Sequence, residues 1–364
     1  MYNDPQNYGG SAPLPQTGYN SFPRSGIPAY GEAAYQSPLP RRGFAPDPYE
    51  KRNIKRHLAG TFTLGIVHSI GFTILGLILF TALSLSGHEE VYNEEGKRVL
   101  DWISELMGYL PGAIMCYSIF FIDKASSKLS LSEYFDTSRI SGGKMAGSIA
   151  GSMFFYPIGI LLMEIIFIAF QAIDLNPVYS DYEVDRTPLL LVMELLMTVI
   201  IGPLGEELMF RGVIMRRLSH VSKRLAIFMS AVFFGLMHGN LPQATMAMVV
   251  GLVFGYIDME MQSLLPSVIC HTFINATVYA ETLVETMVNE EAGNTFFFVL
   301  LIIYFIIGLL AMLIMIFGKK LHLPAYSEYH SRRTWPVIVT CISFWILIVC
   351  YAAEIITSFS RITE

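Results

Sequence analysis

The sequence predicts an all-α fold: a polytopic bundle of about eight or nine transmembrane helices that follows a disordered N-terminal tail. Hydrophobic residues make up 53% of the 364 residues and charged residues only 15%, whereas soluble domains carry about 25% charged residues. The mean hydropathy is +0.49. Apolar runs long enough to cross about 30 Å of hydrocarbon recur along the chain. These observations predict a multi-pass protein of the cell membrane.

The first fifty residues differ in composition from the rest of the chain. Residues 1–50 hold nine of the eighteen prolines, with Gly, Ser, Gln and Tyr between them. Such a segment cannot bury enough apolar surface to offset its ordering entropy, so we expect a disordered tail with polyproline II character. A partner that recognises polyproline II would fit it, although a solvated tail without a partner is the simpler interpretation. Residues 51–364 are then the membrane domain.

Nine apolar helical runs follow the tail. They cover residues 58–86, 104–122, 145–173, 188–218, 225–239, 243–258, 264–283, 295–317 and 335–357. The fifth and sixth runs are short for a full crossing. We therefore expect these two to lie among the other helices.

The charges of the connecting segments indicate the orientation. Basic segments precede the first run and follow the second, fourth and eighth, as in "RRLSHVSKR", whereas acidic segments such as "DLNPVYSDYEVDR" lie on the opposite side. Because basic loops stay cytoplasmic, we expect a cytoplasmic N-terminus. Nine spans then place the C-terminus outside.

Composition also excludes two classes of function. The net charge of −6 provides no basic field that would attract nucleic acid. The four cysteines lie in apolar runs and have no C-x-x-C spacing, which favours reduced, buried thiols over a redox or metal motif.

Polar residues interrupt the hydrophobic runs in three places. They are Glu206, Glu207 and Arg211 in "GEELMFR", Phe234 and His238 in "FFGLMH", and His271 and Asn275 in "HTFIN". The fourth helix is expected to continue through the first motif to about Ser219, with turns near residues 221–222 and near residue 261. At a rise of 1.5 Å per residue, the three motifs then lie at similar depth. We therefore expect one buried polar site.

The first two motifs contain a candidate for water activation. Glu207 and Arg211 stand four residues apart, with the acid on the N-terminal side, and are expected to neutralise each other. Glu206 points about 100° away around the helix, so it takes no part in the pair of Glu207 with Arg211. A carboxylate beside a neutral imidazole can take a proton from water, which makes Glu206 and His238 the candidate pair.

The third motif offers hydrogen-bond donors. His271 and Asn275 share one helix face, and donors aimed at a developing oxyanion stabilise it. Water, base and oxyanion donors together indicate hydrolysis of an acyl bond, which in a membrane points to a peptide bond. No Ser/His/Asp or Cys/His arrangement stands out in the sequence.

Other interpretations of the same residues stay open. The polar residues could be structural, in a membrane scaffold or regulator without catalysis, or they could line an ion path in a transporter. Glu206, His238 and His271 also match a common set of zinc ligands with one open position, although no H-E-x-x-H motif is present. The residues alone do not separate direct hydrolysis from metal-assisted hydrolysis.

Read together, "EELMFR", "FGLMH" and "HTFIN" resemble the three ordered motifs of the CAAX protease and bacteriocin-processing family, also called the Abi family. "HGNLPQA", with Asn240 and Gln243, is similar to that family as well, and the resemblance covers about residues 185–285. It implies a multi-pass intramembrane endopeptidase that acts on a peptide or protein substrate in the lipid bilayer.

The resemblance also implies roles for individual residues. It implies that Glu206 and His238 activate the water. It also implies that His271 and Asn275 stabilise the oxyanion. It adds a supporting role at the site for Glu207, Arg211 and Phe234. The family has been described as metalloproteases, so a divalent metal such as zinc stays open as a cofactor. Eukaryotic members cleave the C-terminal tripeptide of prenylated proteins, whereas bacterial members resemble maturation or immunity factors.

Overall fold

The computed structural model describes residues 48–85, 91–92, 98–99, 102–127, 129–177, 186–318 and 336–361. The predicted tail lies outside these ranges except for its last three residues, which begin the first helix.

Helices form nearly all of the described part of the chain. They are α1 (Pro48–Leu85), α2 (Trp102–Ser127), α3 (Leu131–Tyr134), α4 (Gly142–Gln171), α5 (Pro188–Ser219), α6 (Lys223–Leu236), α7 (Leu241–Met261), α8 (Leu265–Met287), α9 (Glu290–Phe317) and α10 (Ile342–Thr357). Each of the nine predicted runs is helical over most of its length, so the predicted helical bundle is confirmed. Two antiparallel pairs of two-residue strands complete the described elements: β1 (Val91–Tyr92) with β2 (Arg98–Val99), and β3 (Leu175–Asn176) with β4 (Ser360–Arg361).

The helices differ in their ability to span a membrane. Within the described ranges, five are long and apolar enough to cross one, namely α1, α4, α5, α7 and α9. The predicted total of eight or nine crossings therefore rests on these five together with shorter or more polar helices, and it stays a prediction.

Apolar side chains face outwards and several charged side chains face inwards. Phe298, Leu310 and Ile314 of α9 are exposed, whereas Glu207 and Arg211 are fully buried. This distribution suits lipid surroundings, where outward apolar groups cost nothing and polar groups need partners inside the protein.

The turns fall where the sequence predicts them. α5 ends at Ser219 and α6 begins at Lys223, after Ser222 caps the new helix by accepting a hydrogen bond from the backbone N–H of Leu225. α7 ends at Met261, and Gln262 then adopts a left-handed conformation with φ of 55°. α6 packs on α7, and α7 packs on α4 and α8. The three motifs are thereby brought to one region of the bundle.

α2 is joined to α5 by buried and partly buried polar contacts. Asp123 accepts hydrogen bonds from Arg216 Nη2 at 2.8 Å and from Arg217 Nε at 2.7 Å. Farther along, the Tyr117 hydroxyl donates to the carbonyl oxygen of Ile201 at 3.0 Å. These contacts place α2 along the part of α5 that carries the first motif.

The close approach of α4 and α9 yields a prediction about Gly308. A Cβ atom there would lie 2.5 Å from the backbone nitrogen of Phe154 and 2.7 Å from its Cα atom. Because backbone atoms cannot move aside cheaply, Gly308→Ala is expected to lower the free energy of unfolding by about 1–3 kcal/mol, measured by thermal unfolding in detergent. Gly151→Ala is the matched control, since a Cβ atom added at that buried glycine of α4 would meet no heavy atom within 4 Å. Equal destabilisation by both variants would contradict the packing described.

Candidate active site

The segment of α5 before the two glutamates is a π-helix, from Leu195 to Ile201. Its last turn is closed by the N–H of Gly202, which donates to the carbonyl of Met197, five residues back. In this pattern the carbonyl of Thr198 would accept from residue 203. That residue is Pro203, which has no N–H. The Thr198 carbonyl therefore lacks a partner in its own helix.

Asn275 of α8 supplies the missing donor. Its Nδ2 donates to the Thr198 carbonyl oxygen at 2.7 Å. An unsatisfied carbonyl inside a membrane costs several kcal/mol, so this bond holds the Asn275 side chain firmly against α5. The Asn275 amide has a second N–H. Pro203 thus positions a residue of the third motif beside the first.

Glu207 and Arg211 form the ion pair that their spacing predicts. Arg211 Nη1 lies 2.9 Å from Glu207 Oε1, and both side chains are fully buried. Arg211 Nη2 also donates to the carbonyl of Gly251 on α7 at 3.2 Å. The guanidinium carbon lies 4.4 Å from the centre of the Phe234 ring, so this pair joins three helices.

His271 contacts both glutamates. Its Nδ1 lies 2.9 Å from Glu207 Oε1, and its Nε2 lies 3.7 Å from Glu206 Oε2. Because a carboxylate only accepts hydrogen bonds, Nδ1 carries a proton. Glu207 therefore fixes the orientation of the ring and directs Nε2 at Glu206. Sequence reasoning missed these contacts, since helical spacing relates only residues of the same helix.

The sequence predicted His238 inside the fifth helical run, but the structure places it in the turn after α6. Gly239 has φ of +71°, which glycine adopts without strain, and Asn240 caps α7 by accepting from the backbone N–H of Gln243 at 2.9 Å. α6 ends at Leu236, and these two residues lead the chain into α7. His238 Nδ1 donates to the carbonyl of Phe234 at 2.9 Å, so the neutral ring keeps a lone pair on Nε2.

Phe234 links the two histidines. Its ring centre lies 5.2 Å from that of His238 and 5.5 Å from that of His271, and both contacts are edge-to-face. The structure therefore brings residues of all three motifs together. Among the described residues, no hydrogen bond or ion pair joins Glu206 to His238. Their joint action on a water molecule stays a prediction.

The metal interpretation gains no support from this arrangement. The described residues include no group of three His, Cys, Asp or Glu side chains that could hold a metal ion. Glu206, His238 and His271 thus do not fit as a ligand set in this geometry. The divalent metal stays a prediction from sequence and resemblance.

Glu206 borders a cavity of about 170 Å³. Its side chain is 22% exposed, in contrast to the fully buried Glu207. A second, apolar groove of about 790 Å³ lies between α2 and α5 and shares Ala113 and Met197 with the cavity. The sequence predicted neither the cavity nor the groove, because the residues of α1, α2 and α10 that line them form no motif.

The segment that carries the three motifs matches a known protein family. The family model described as type II CAAX prenyl endopeptidase Rce1-like matches residues 188–277, about a quarter of the chain. No curated protein and no solved structure matches the chain. The matched segment contains all seven residues of the three motifs, in agreement with the resemblance of the sequence. Residues 188–277 of the chain are thus similar to the type II CAAX prenyl endopeptidase family.

Proposed function

We propose that the protein is an intramembrane endopeptidase that hydrolyses peptide bonds of membrane-associated peptides or proteins, with a water molecule activated by Glu206 and His238. The observation that carries this proposal is the position of Glu206. It borders a cavity, and its carboxylate faces a histidine whose other nitrogen is held by Glu207.

The proposed oxyanion role needs a proton on both ring nitrogens of His271, because the Nδ1 proton already faces Glu207 Oε1. Such a ring has an N–H at Nε2, available to an oxyanion beside Glu206.

The proposed reaction begins with a water molecule between Glu206 and the lone pair of His238 Nε2. Glu206 takes one proton, and the hydroxide oxygen forms a bond to the carbonyl carbon of the substrate. The carbonyl oxygen becomes negatively charged and receives hydrogen bonds from His271 Nε2–H and the second N–H of Asn275. The C–N bond then breaks, Glu206 gives its proton to the leaving amine, and the products are a carboxylic acid and an amine.

The substrate reaches this site from the bilayer in our proposal. The apolar groove between α2 and α5 is lined by residues such as Leu110, Phe121 and Leu196 and adjoins the cavity at Glu206. It suits an apolar segment or a lipid-like group of the substrate. The description of the matching family names prenyl endopeptidases, so a prenylated peptide is one such substrate. The orientation proposed is a cytoplasmic N-terminus.

Asn275 provides a test of the oxyanion role. Asn275→Ala is expected to lower kcat by about 10²–10³-fold, because one oxyanion donor is lost. Asn275→Asp keeps the size but replaces the donor with an acceptor, so it should be at least as impaired. Rates near the parent's in folded samples of both variants would refute this role.

The proposed function is tested by comparing membrane peptidomes of cells that express the parent or the Glu206→Gln variant. Peptides produced only with the parent would identify the substrate and support the activity together. A non-catalytic scaffold would instead give identical peptidomes, and variants of the site would alter only stability or assembly.

A further inference from the structure

The cavity beside Glu206 is walled by polar groups from outside the matched segment. His68 and Ser69 come from α1, Cys116 from α2 and Glu354 from α10. Ser69 Oγ donates to Glu354 Oε1, which holds this carboxylate at the cavity wall. Helices that carry none of the three motifs therefore share in setting the chemistry of the cavity with Glu206.

The polar lining is acidic. Glu206 and Glu354 contribute two carboxylates, and the described residues that line the cavity include no Lys or Arg. Charges interact strongly in such surroundings because water screens them little. A cation is therefore favoured in this cavity, and a carboxylate, such as the C-terminus of a peptide, is disfavoured.

His68 adds a buried nitrogen without a partner. The residue is 5% exposed, its Nε2 lies 3.7 Å from Cys116 Sγ, and its Nδ1 has no hydrogen-bond partner among the described residues. When Nε2–H donates to the sulfur, Nδ1 keeps a lone pair. Buried polar groups are rarely left unpaired, and this one belongs to a residue that lines the cavity.

The remaining walls suit a hydrocarbon stem. Gly108, Gly112 and Ala113 of α2 are small, and Phe72 and Met197 supply apolar surface. Long basic side chains place their methylene stems along apolar surface and their charge at polar groups. A cavity of about 170 Å³ accommodates one such side chain.

We propose that this cavity is a substrate subsite for a cationic side chain, lysine or arginine, next to the scissile bond. The proposal rests on the proposed endopeptidase function. The cationic head pairs with the carboxylate of Glu354, while the stem lies along α2 and Glu206 stays available to the water molecule. This places the adjoining peptide bond beside the water-activating groups.

The first test uses purified protein in lipid vesicles and a library of peptides made from a proteome by cleavage after glutamate, which leaves internal lysines and arginines intact. Mass spectrometry of the parent's products is expected to show about tenfold enrichment of Lys or Arg at one position near the cut, a preference that corresponds to about 1.4 kcal/mol. Glu354→Gln should still cleave but lose the enrichment. Glu164→Gln is the matched control, since this exposed carboxylate of α4 does not line the cavity, and it should keep the enrichment.

The second test needs no turnover. Butylammonium, butanol and butyrate are similar in size and differ in charge, so their effects on thermal unfolding isolate the charge preference. Only butylammonium is expected to raise the midpoint of the parent, by about 2 °C at saturating concentration, and Glu354→Gln should abolish this shift. Equal shifts with all three probes, or an undiminished shift in the variant, would overturn the subsite.

The two tests separate the subsite from the proposed function. Cleavage without a basic preference, or with a preference that Glu354→Gln retains, overturns the subsite and leaves the hydrolysis standing. Selective stabilisation by butylammonium without any cleavage supports the cationic site and refutes the hydrolysis. If the parent shows no cleavage and no selective stabilisation, both the subsite and the hydrolysis are refuted.

Discussion

Glu206→Gln is expected to lower kcat/KM for peptide hydrolysis by about 10²–10⁴-fold, the range that a positioned general base contributes. Glutamine keeps the size of the side chain but cannot take a proton from water. His238→Ala is expected to lower the rate within the same range, because the water loses its second acceptor. Initial rates with the purified protein in lipid vesicles measure both effects.

The controls separate chemistry from folding. Glu206 is partly exposed to the cavity, and its contact with His271 Nε2 is long, at 3.7 Å. Glu206→Gln should therefore unfold at nearly the same temperature as the parent. Glu164→Gln, on the outer face of α4, should change neither the rate nor the stability. Parent-like rates in folded Glu206→Gln protein would refute the role of this glutamate.

The second large expected effect is a loss of folding stability when Glu207 is replaced. Glu207→Ala leaves the Arg211 guanidinium without its carboxylate in a fully buried position, which is expected to lower the free energy of unfolding by about 3–5 kcal/mol. The same substitution frees the His271 ring from the bond that orients it. Chemical denaturation in detergent measures the stability change.

A double variant distinguishes charge burial from catalysis. Replacing Glu207 with Leu and Arg211 with Met removes both charges and fills the space, so most of the lost stability should return. Hydrolysis should stay low, because His271 still lacks its carboxylate partner. Activity that recovers together with stability would show that Glu207 acts only in packing, whereas a parent-like stability of Glu207→Ala would contradict the buried ion pair.

Much of the architecture could be predicted from sequence because it follows local rules. The helices follow from apolar runs, and the turn between α5 and α6 follows from the polar composition near residues 221–222. The Glu207–Arg211 pair follows from helical spacing. Similar depths, estimated from the chain distances to the turns, also predicted that the three motifs meet.

The remaining features depend on contacts between distant helices. Pro203 hinted at an irregularity, but the π-helix and the use of Asn275 to satisfy Thr198 require the position of α8. The contacts of His271 with both glutamates likewise join helices far apart in the chain. The cavity wall at Glu354 could not be inferred, because a single acid in an apolar helix carries no spacing signal.

In the proposed mechanism, Glu206 drives the addition of water to a peptide bond. In the most direct test, the purified parent and the Glu206→Gln variant are incubated with the peptide library in ¹⁸O-labelled water. Mass spectrometry then identifies the new peptide ends. The proposed mechanism predicts new carboxyl ends that carry the label from solvent, with matching new amino ends, for the parent and not for the variant. The absence of labelled ends with the folded parent, or equal numbers with the variant, would contradict it.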